Sequence, residues 1–520
     1  MPIRIKRDDN QESYSPRSGG GGTGGGGGGG LMQFIPLLIG LFGRNPKLLL
    51  IIAVLGGGYF LFTKGCGGAS GGDANAQSGG LATGANFDIK KYAATEIYEP
   101  LADNKRNPMP ERVSLLEFAP GRRNQGQQGS CVAWASAYGA RSIMQARESG
   151  QNPNQSTFSP AFLYNQIALE GCQGAYLPEA LKVMQNTGLA PFDAMRYNEN
   201  DCSTRPDQMA LRKAEDFKID GYQRLTGGRD GSDPKTVNML AIKQNLAQGA
   251  PVVIGMMVGG SYMQALMGQD KWRPTDSDYN QQGFGGHAMC VIGYDDYKFG
   301  QNMGGFQIMN SWGEEWGNKG VAWVSYDDFE IFVKEAYGIY PGGDASAPQT
   351  NTLTAQFGIV LNANDQNLEL QPSGTYSFRT NRKMVEKEEF KLQVTNNLAC
   401  HVYIFGQETD GSSYILFPYT AKHSPYCGIK GTRLFPRDHS FFPDNVGTMD
   451  YFAIVVSKEP IDYEDFTKKL SNAAGSSYEQ KLMSLVKNNR GVKTSSGKTI
   501  DLQIDFSQTD IAGVVVEVQK

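Results

Sequence analysis

The sequence predicts an α+β chain: a two-lobed domain with a helical lobe and a β-rich lobe, followed by a β-sandwich domain and preceded by one transmembrane helix. Three observations predict it. Helical patterns crowd residues 131–188 and give way to short β-rich runs across 250–326. A second set of short strands with turn residues between them fills the chain from about 352 onward. One uncharged apolar stretch, residues 48–63, stands ahead of both.

A chain of 520 residues is too long for one ordinary core and suggests two or three domains. With 40% hydrophobic and 11% aromatic residues, most of it can pack into cores, and a net charge of -4 offers no basic surface, so no nucleic-acid partner is expected. The 65 glycines cluster in residues 19–30 and 65–84, which read as flexible linkers with no side chains to bury. Between them, "KLLLIIAVLGGGYFLFTK" is uncharged over 48–63 and flanked by Lys47 and Lys64. Those residues span roughly 24 Å as a helix against a hydrocarbon core of ~30 Å, and the lysines can snorkel across part of the gap. Upstream, residues 31–42 are apolar but too short to span and are expected in the interface. Arg4, Lys6, Arg7, Arg17, Arg44 and Lys47 precede the span and Lys64 alone follows closely, so the N-terminus is expected in the cytoplasm and everything after Lys64 across the membrane. A cleaved signal peptide and a lipidated Cys66 are the alternatives. The seven cysteines fit an oxidising compartment: Cys172 and Cys202 fall in one region, Cys400 and Cys427 in another, and each could be a disulfide pair.

Ordered sequence is expected from about Phe87. Residues 109–120, "MPERVSLLEFAP", read as an extended lead-in, and a helix follows from Cys131 to about Glu148. Residues 158–171 and 177–188 read as two more helices, the second ending at Gly188. Strands are expected at 250–258, 287–295, 306–312 and 321–326, then at 390–396, 401–407, 414–419, 451–457, 501–506 and 512–518, with a helical insert at about 462–487.

The histidines are the sharpest chemical signal. Of four, His401, His423 and His439 lie in the C-terminal region, so the two-lobed region holds His287 alone, in "GFGGHAMCVIGYDD". If Cys131, in "NQGQQGSCVAW", needs a base from its own domain, His287 is the candidate. Asn310, in "IMNSWGEEWG", is polar inside an apolar strand pattern, and an amide there can hold an imidazole in one tautomer.

These pieces together resemble the papain-like cysteine peptidases: a Gln-Gly loop, a Ser-Cys pair opening a helix, a histidine on a strand and an Asn-Ser-Trp-Gly segment, in that order over residues 109–340. The resemblance implies that Cys131 is the nucleophile, its thiolate favoured at a helix N-terminus, and that His287 is its partner. It implies that Asn310 orients His287 under the cover of Trp312, and that Gln125 and the Cys131 N–H form the oxyanion hole. Gly174, Gly286 and Trp312 are implied on the substrate side. No cofactor or metal is implied, and the substrate is a peptide or protein. The chain departs from the family at Val132, where tryptophan is frequent, at Gln128, where cysteine is common, and at Ala175, which adds a methyl where a Gly-Gly pair binds substrate backbone. With its usual partner replaced by Gln128, Cys172 pairs with Cys202 or stays reduced. Cys290, Trp134, Tyr138 and Trp316 are read as core. No helical inhibitory pro-segment is evident before residue 109, so the enzyme is either made active or restrained by another part of the chain.

The C-terminal module resembles a β-sandwich family of unknown function appended to bacterial peptidases and envelope proteins. It implies an accessory role and a possible envelope protein partner; a Cys₂His₂ site from Cys400, His423, Cys427 and His439 is a minor alternative. The expected divisions are a cytoplasmic tail with an interfacial segment (1–46), the transmembrane helix (47–64), a flexible linker (65–86), the peptidase domain (87–345) and the β-sandwich (352–520). The function expected is a membrane-anchored, extracytoplasmic bacterial cysteine peptidase acting through a thioester. The rivals are a catalytically quiet binding scaffold in the cell envelope and an acyl transferase or amidase with the same residues.

Overall fold

The computed structural model describes residues 3–7, 81–225, 237–341, 351–486 and 491–520. The transmembrane helix expected at 47–64, the interfacial segment and the linker up to residue 80 lie outside the described residues. Among the described residues no helix is long and apolar enough to cross a membrane.

The helices that matter to the site are α1 (Ile89–Ala94), α2, α3 (Pro160–Ile167) and α4 (Leu177–Asn186). Helix α2 runs in three stretches, Cys131–Ala133, Trp134–Arg141 and Ser142–Ser149. Its middle stretch is wound as a π-helix, a form rare outside functional sites. There the Ser142 hydroxyl donates to the Ala137 carbonyl five residues back, at 3.1 Å. Gly150, at φ 67°, ends the helix in the left-handed conformation that favours glycine. In α3 the Ser159 side chain accepts from the Phe162 N–H and Pro160 sits at the first turn, where its missing N–H costs nothing.

The strands are β1 (Ile3–Arg7), β2 (Arg112–Ser114), β3 (Ile219–Arg224), β4 (Val252–Val258), β5 (Gly285–Gly300), β6 (Met303–Met309), β7 (Val321–Ser325) and β8 (Val333–Pro341). Strands β3-β8-β4-β5-β6-β7 form one antiparallel sheet, with β2 added on β5. The buried helical residues, including Val132, Ala137, Phe162 and Leu181, and the sheet residues, including Ile254, Val291 and Ile308, belong to one core. Helix α2 packs on β5 at Gly139, where an added Cβ would lie 3.1 Å from the Cys290 Cβ, and at its first residue, where the Cys131 Sγ meets the Ala288 N–H on the strand that carries His287.

Several strands were not expected from the sequence, among them β3, β8, Thr352–Leu361 and His439–Pro443. In β3, "IDGYQR", Arg224 is buried and Asp220 exposed, so no apolar alternation marks it. The strand expected through residue 312 stops at Met309, because Asn310 turns its backbone N–H to the Gly320 carbonyl.

The C-terminal region contains two β-sheets. One includes Thr352–Leu361, Phe390–Asn396 and Ile500–Asp505; the other includes Cys400–Gln407, Met449–Ser457 and Ile511–Gln519. Residues of both sheets, among them Phe357, Val394, Ile404 and Ile454, share a second core. The helical insert is two helices, Tyr463–Asn472 and Tyr478–Val486. Cys400 and Cys427 face each other across paired strands with their thiols free, so the disulfide considered for them is not formed. Among the described residues no cluster of three or more His, Cys, Asp or Glu is arranged to hold a metal, so the four-residue site considered there does not assemble.

The peptidase-like region and the C-terminal region belong to one compact unit. Residues 95–107 hold them together. The Ile97 N–H donates to the Lys422 carbonyl at 2.7 Å, Ala102 N–H to Thr432 at 2.8 Å, and Asn107 exchanges two bonds with Thr432. On the opposite side, the Arg224 N–H donates to Glu96 and the Tyr98 N–H to Arg224. The tail expected to be cytoplasmic contributes β1, which pairs antiparallel with His439–Pro443.

Candidate active site

Cys131 opens α2 and is fully buried. Its Sγ receives the Ala288 N–H at 3.4 Å, which fixes the thiol beside the residue following His287 on β5. The His287 Nε2 meets Asn310 Oδ1 at 2.7 Å. The same Oδ1 receives the Ser311 N–H at 2.7 Å, so it acts as the acceptor and Nε2 must carry the proton. The other ring nitrogen, Nδ1, has no hydrogen-bond partner in the protein and presents its lone pair. Trp312 stacks on the imidazole with ring centroids 4.3 Å apart and planes 19° apart.

Burial sets the protonation state. It pushes the Cys131 thiol up to about 12, against the pull of the neighbouring Ala288, Val132 and Ala85 N–H groups. It pushes His287 down to about 4, partly opposed by the Asn310 bond. At neutral pH the pair as folded here is therefore a neutral thiol beside a neutral imidazole.

Gln125 is buried on the loop before α2. One hydrogen of its Nε2 goes to the Gln128 carbonyl at 2.9 Å, leaving the second for another acceptor. Its Oε1 is held by the Ser311 hydroxyl at 2.7 Å, and its backbone carbonyl accepts from the Tyr197 hydroxyl at 2.7 Å. Tyr197 also bonds Ser130 at 2.6 Å. Neither Ser311 nor Tyr197 was singled out from the sequence, since a hydroxyl in a polar loop carries no pattern. Cys172 and Cys202 form a disulfide. Gln128, standing where the family often has cysteine, instead donates to the Asp201 carbonyl at 3.1 Å, next to that disulfide. Cys290, Trp134, Tyr138 and Trp316 are all buried, as core residues should be.

Gly174, Gly286 and Trp312 come together as well, but around the chain itself. Residues expected to belong to a free linker, 81–86, lie against them. The Gly286 carbonyl accepts from the Gly84 and Ala85 N–H groups at 3.1 and 3.0 Å. Ala175 donates its N–H to the Gly84 carbonyl at 2.9 Å and accepts from Asn86 at 3.0 Å, and the Trp312 Nε1 donates to the Ala82 carbonyl at 2.7 Å. Residues 81–86, ahead of Phe87, are thus ordered as well.

Residues 118–338 match the family described as papain family cysteine protease. An uncharacterized peptidase C1-like protein of Acanthamoeba polyphaga mimivirus is 29% identical over 222 residues, 41% of this chain and 67% of that protein. Cathepsin K of Mus musculus is 30% identical over 237 residues, 45% of this chain and 64% of its own length. Among solved structures, the chain is similar to xylellain, a cysteine protease from Xylella fastidiosa. That match is 24% identical with a TM-score of 0.39, over 50% of this chain and 96% of the other.

Proposed function

We propose, for a chain whose residues 118–338 are a papain-family cysteine protease domain, that Cys131 and His287 hydrolyse peptide bonds through a thioester. The chain is a peptidase hydrolase; the assignment of its steps to residues is our reading. The observation that carries it is the bare Nδ1 of His287, left free because Asn310 takes the opposite nitrogen. In the proposed cycle Nδ1 takes the thiol proton as Sγ attacks the substrate carbonyl carbon. The oxyanion accepts from the free hydrogen of the Gln125 amide and from the Cys131 N–H. The imidazolium then returns its proton to the leaving amine, and water, deprotonated by Nδ1, hydrolyses the thioester. Asn310 and Trp312 hold the ring in the tautomer and plane this requires.

A transferase would use the same residues and deliver the acyl group to an amine. Product masses from a mixed peptide library separate the two: hydrolysis leaves fragments carrying only the mass of water, transfer leaves joined peptides. We expect hydrolysis, and joined products as the main outcome would replace the peptidase reading.

The C-terminal region is proposed to be a β-sandwich accessory module that offers a surface to an envelope protein partner; two sheets sharing a core support the sandwich. Attachment to a membrane through residues 47–64, with the protease domain outside the cytoplasm of a bacterial cell, is proposed from the uncharged stretch, its flanking charges and the Cys172–Cys202 disulfide. The full-length chain should stay with membranes through an alkaline wash and leave them in detergent. Release by the wash alone would remove the anchor.

A further inference from the structure

A cavity of about 990 Å³ lies between the peptidase-like region and the C-terminal region, where β3 is the edge strand of its sheet. That volume suits a ligand or a short stretch of peptide. One wall is β3 with residues 94–96, which follow α1; the other is residues 424–426 and 458–460 with His401. Neither Cys131 nor His287 lines it.

The backbone of β3 is open toward this cavity. Arg224 turns both its backbone groups away from β8: its N–H donates to the Glu96 carbonyl at 2.9 Å and its carbonyl accepts from Tyr98 at 3.2 Å. Directions alternate along an antiparallel strand, so Tyr222, two residues back, turns its N–H and carbonyl to the same side. The chain that covers Arg224 does not cover Tyr222. Thr95, which would come next, spends its N–H on the Tyr92 carbonyl at 3.1 Å and its carbonyl on the Arg224 guanidinium at 2.9 Å. An extended strand can therefore join the edge at Tyr222.

The charges are one-sided. The carboxylates of Glu96, Glu148, Asp220 and Glu459 line the cavity against the lone ammonium of Lys458. Burial pushes His401 down to about 4, so it adds no charge at neutral pH. Glu96 accepts from the Ser424 hydroxyl, and Glu148 faces Arg141 at 3.9 Å. Asp220 and Glu459 are near neighbours: burial first and then the Glu459 charge raise Asp220 to about 6, with the Tyr426 hydroxyl, Lys458 and Arg141 opposing. Behind them Gln223, 1% exposed, spends its amide nitrogen on the Tyr426 carbonyl at 2.9 Å. Its Oε1 is left with no hydrogen-bond partner, which is costly for a buried acceptor. The wall thus offers acceptors and negative charge and calls for a cation that donates hydrogen bonds. Among the described residues no three His, Cys, Asp or Glu are placed to hold a metal, so the cation it suits is organic. Tyr222, Leu398 and Phe506 supply apolar surface for the stem of a lysine or arginine.

We infer that this cavity is an exosite for a basic peptide, an extended segment whose backbone joins β3 at Tyr222 and whose lysine or arginine head sits between Asp220 and Glu459. The segment belongs either to the substrate, beyond the bond that is cut, or to a separate polypeptide. The chemistry of capture is the same for both, and it does not depend on Cys131 and His287 being the reacting pair.

The test measures fluorescence anisotropy of labelled tetralysine, and of tetraglutamate, with the full-length protein. Cys131→Ala is the parent, so that the probe stays uncut, and Asp220→Asn with Glu459→Gln is added to it. Tetralysine should bind the parent and lose about tenfold or more in affinity when both carboxylates are removed, while tetraglutamate should not bind. Tetralysine that does not bind, that binds both proteins equally, or that binds no better than tetraglutamate would overturn the exosite. Its source is read from kcat/KM with Cys131 intact, on a short neutral peptide and on the same peptide prolonged by lysines. The double variant should cut the short peptide as wild type does. A gain on the prolonged peptide that the double variant loses assigns the segment to the substrate; charge-dependent binding without that gain assigns it to a separate polypeptide. If the double variant is slow on the short peptide as well, Glu459→Gln alone, in an exposed loop, decides.

Discussion

Asn310 determines which nitrogen of His287 can take a proton. Its Oδ1, committed to two N–H groups, leaves Nδ1 as the basic site. Removing that amide lets the ring change tautomer and tilt, although Trp312 still stacks on it. Asn310→Ala should lower kcat/KM by about 10²-fold through misplacement of the base. Gln125→Ala should lower kcat by about 10²–10³-fold with little change in KM, since its bond strengthens only as the oxyanion forms. Steady-state kinetics on a common peptide checks both, and an unaltered kcat in Gln125→Ala would move the oxyanion hole elsewhere. The residues proposed to react, which the fold brings together, were legible because they are rare types in a fixed order: one histidine in the two-lobed region, a cysteine after a Gln-Gly loop, and an asparagine before Ser-Trp-Gly. Ser311 and Tyr197 were not, because their role depends on hydroxyl positions that only the fold brings to Gln125.

Among the elements, the helices and strands that were expected followed their apolar periodicity; what escaped included strands such as β3, β8 and Thr352–Leu361, the helix Met239–Ala247, and backbone that serves as a connector. Residues 81–86 read as linker because alanine, threonine and glycine bury little, yet that smallness is what lets them lie against glycines in the cleft. Residues 95–107 likewise have no strand period, since they bond two different elements on two sides. Their burial has a titratable consequence. The carboxyl of Glu99 is buried without a hydrogen-bond partner and is raised to about 7, chiefly by desolvation, with Arg437, Arg433 and Lys391 opposing. Between its unfolded value near 4.5 and about 7, the folded state holds a proton that the unfolded state has lost, so stability falls as pH rises through that window. Glu99→Gln removes this dependence. Relative to wild type it should gain on the order of 1–3 kcal/mol in urea unfolding at pH 8 compared with pH 5. The same difference at both pH values would show that Glu99 does not titrate there.

At the scale of the whole molecule, one chain supplies the thiol, the imidazole beside it and a C-terminal region locked to the peptidase-like region by residues 95–107. The central claim is that Cys131 carries the acyl group. The most direct measurement is to incubate the full-length protein with a peptide ester, quench in acid at short times, and locate the added mass by digestion and mass spectrometry. The account predicts the acyl mass on the Cys131 peptide, rising before product and decaying as product forms, with no turnover when Cys131→Ala is added. Turnover that survives Cys131→Ala, or an adduct on a different cysteine, would contradict it.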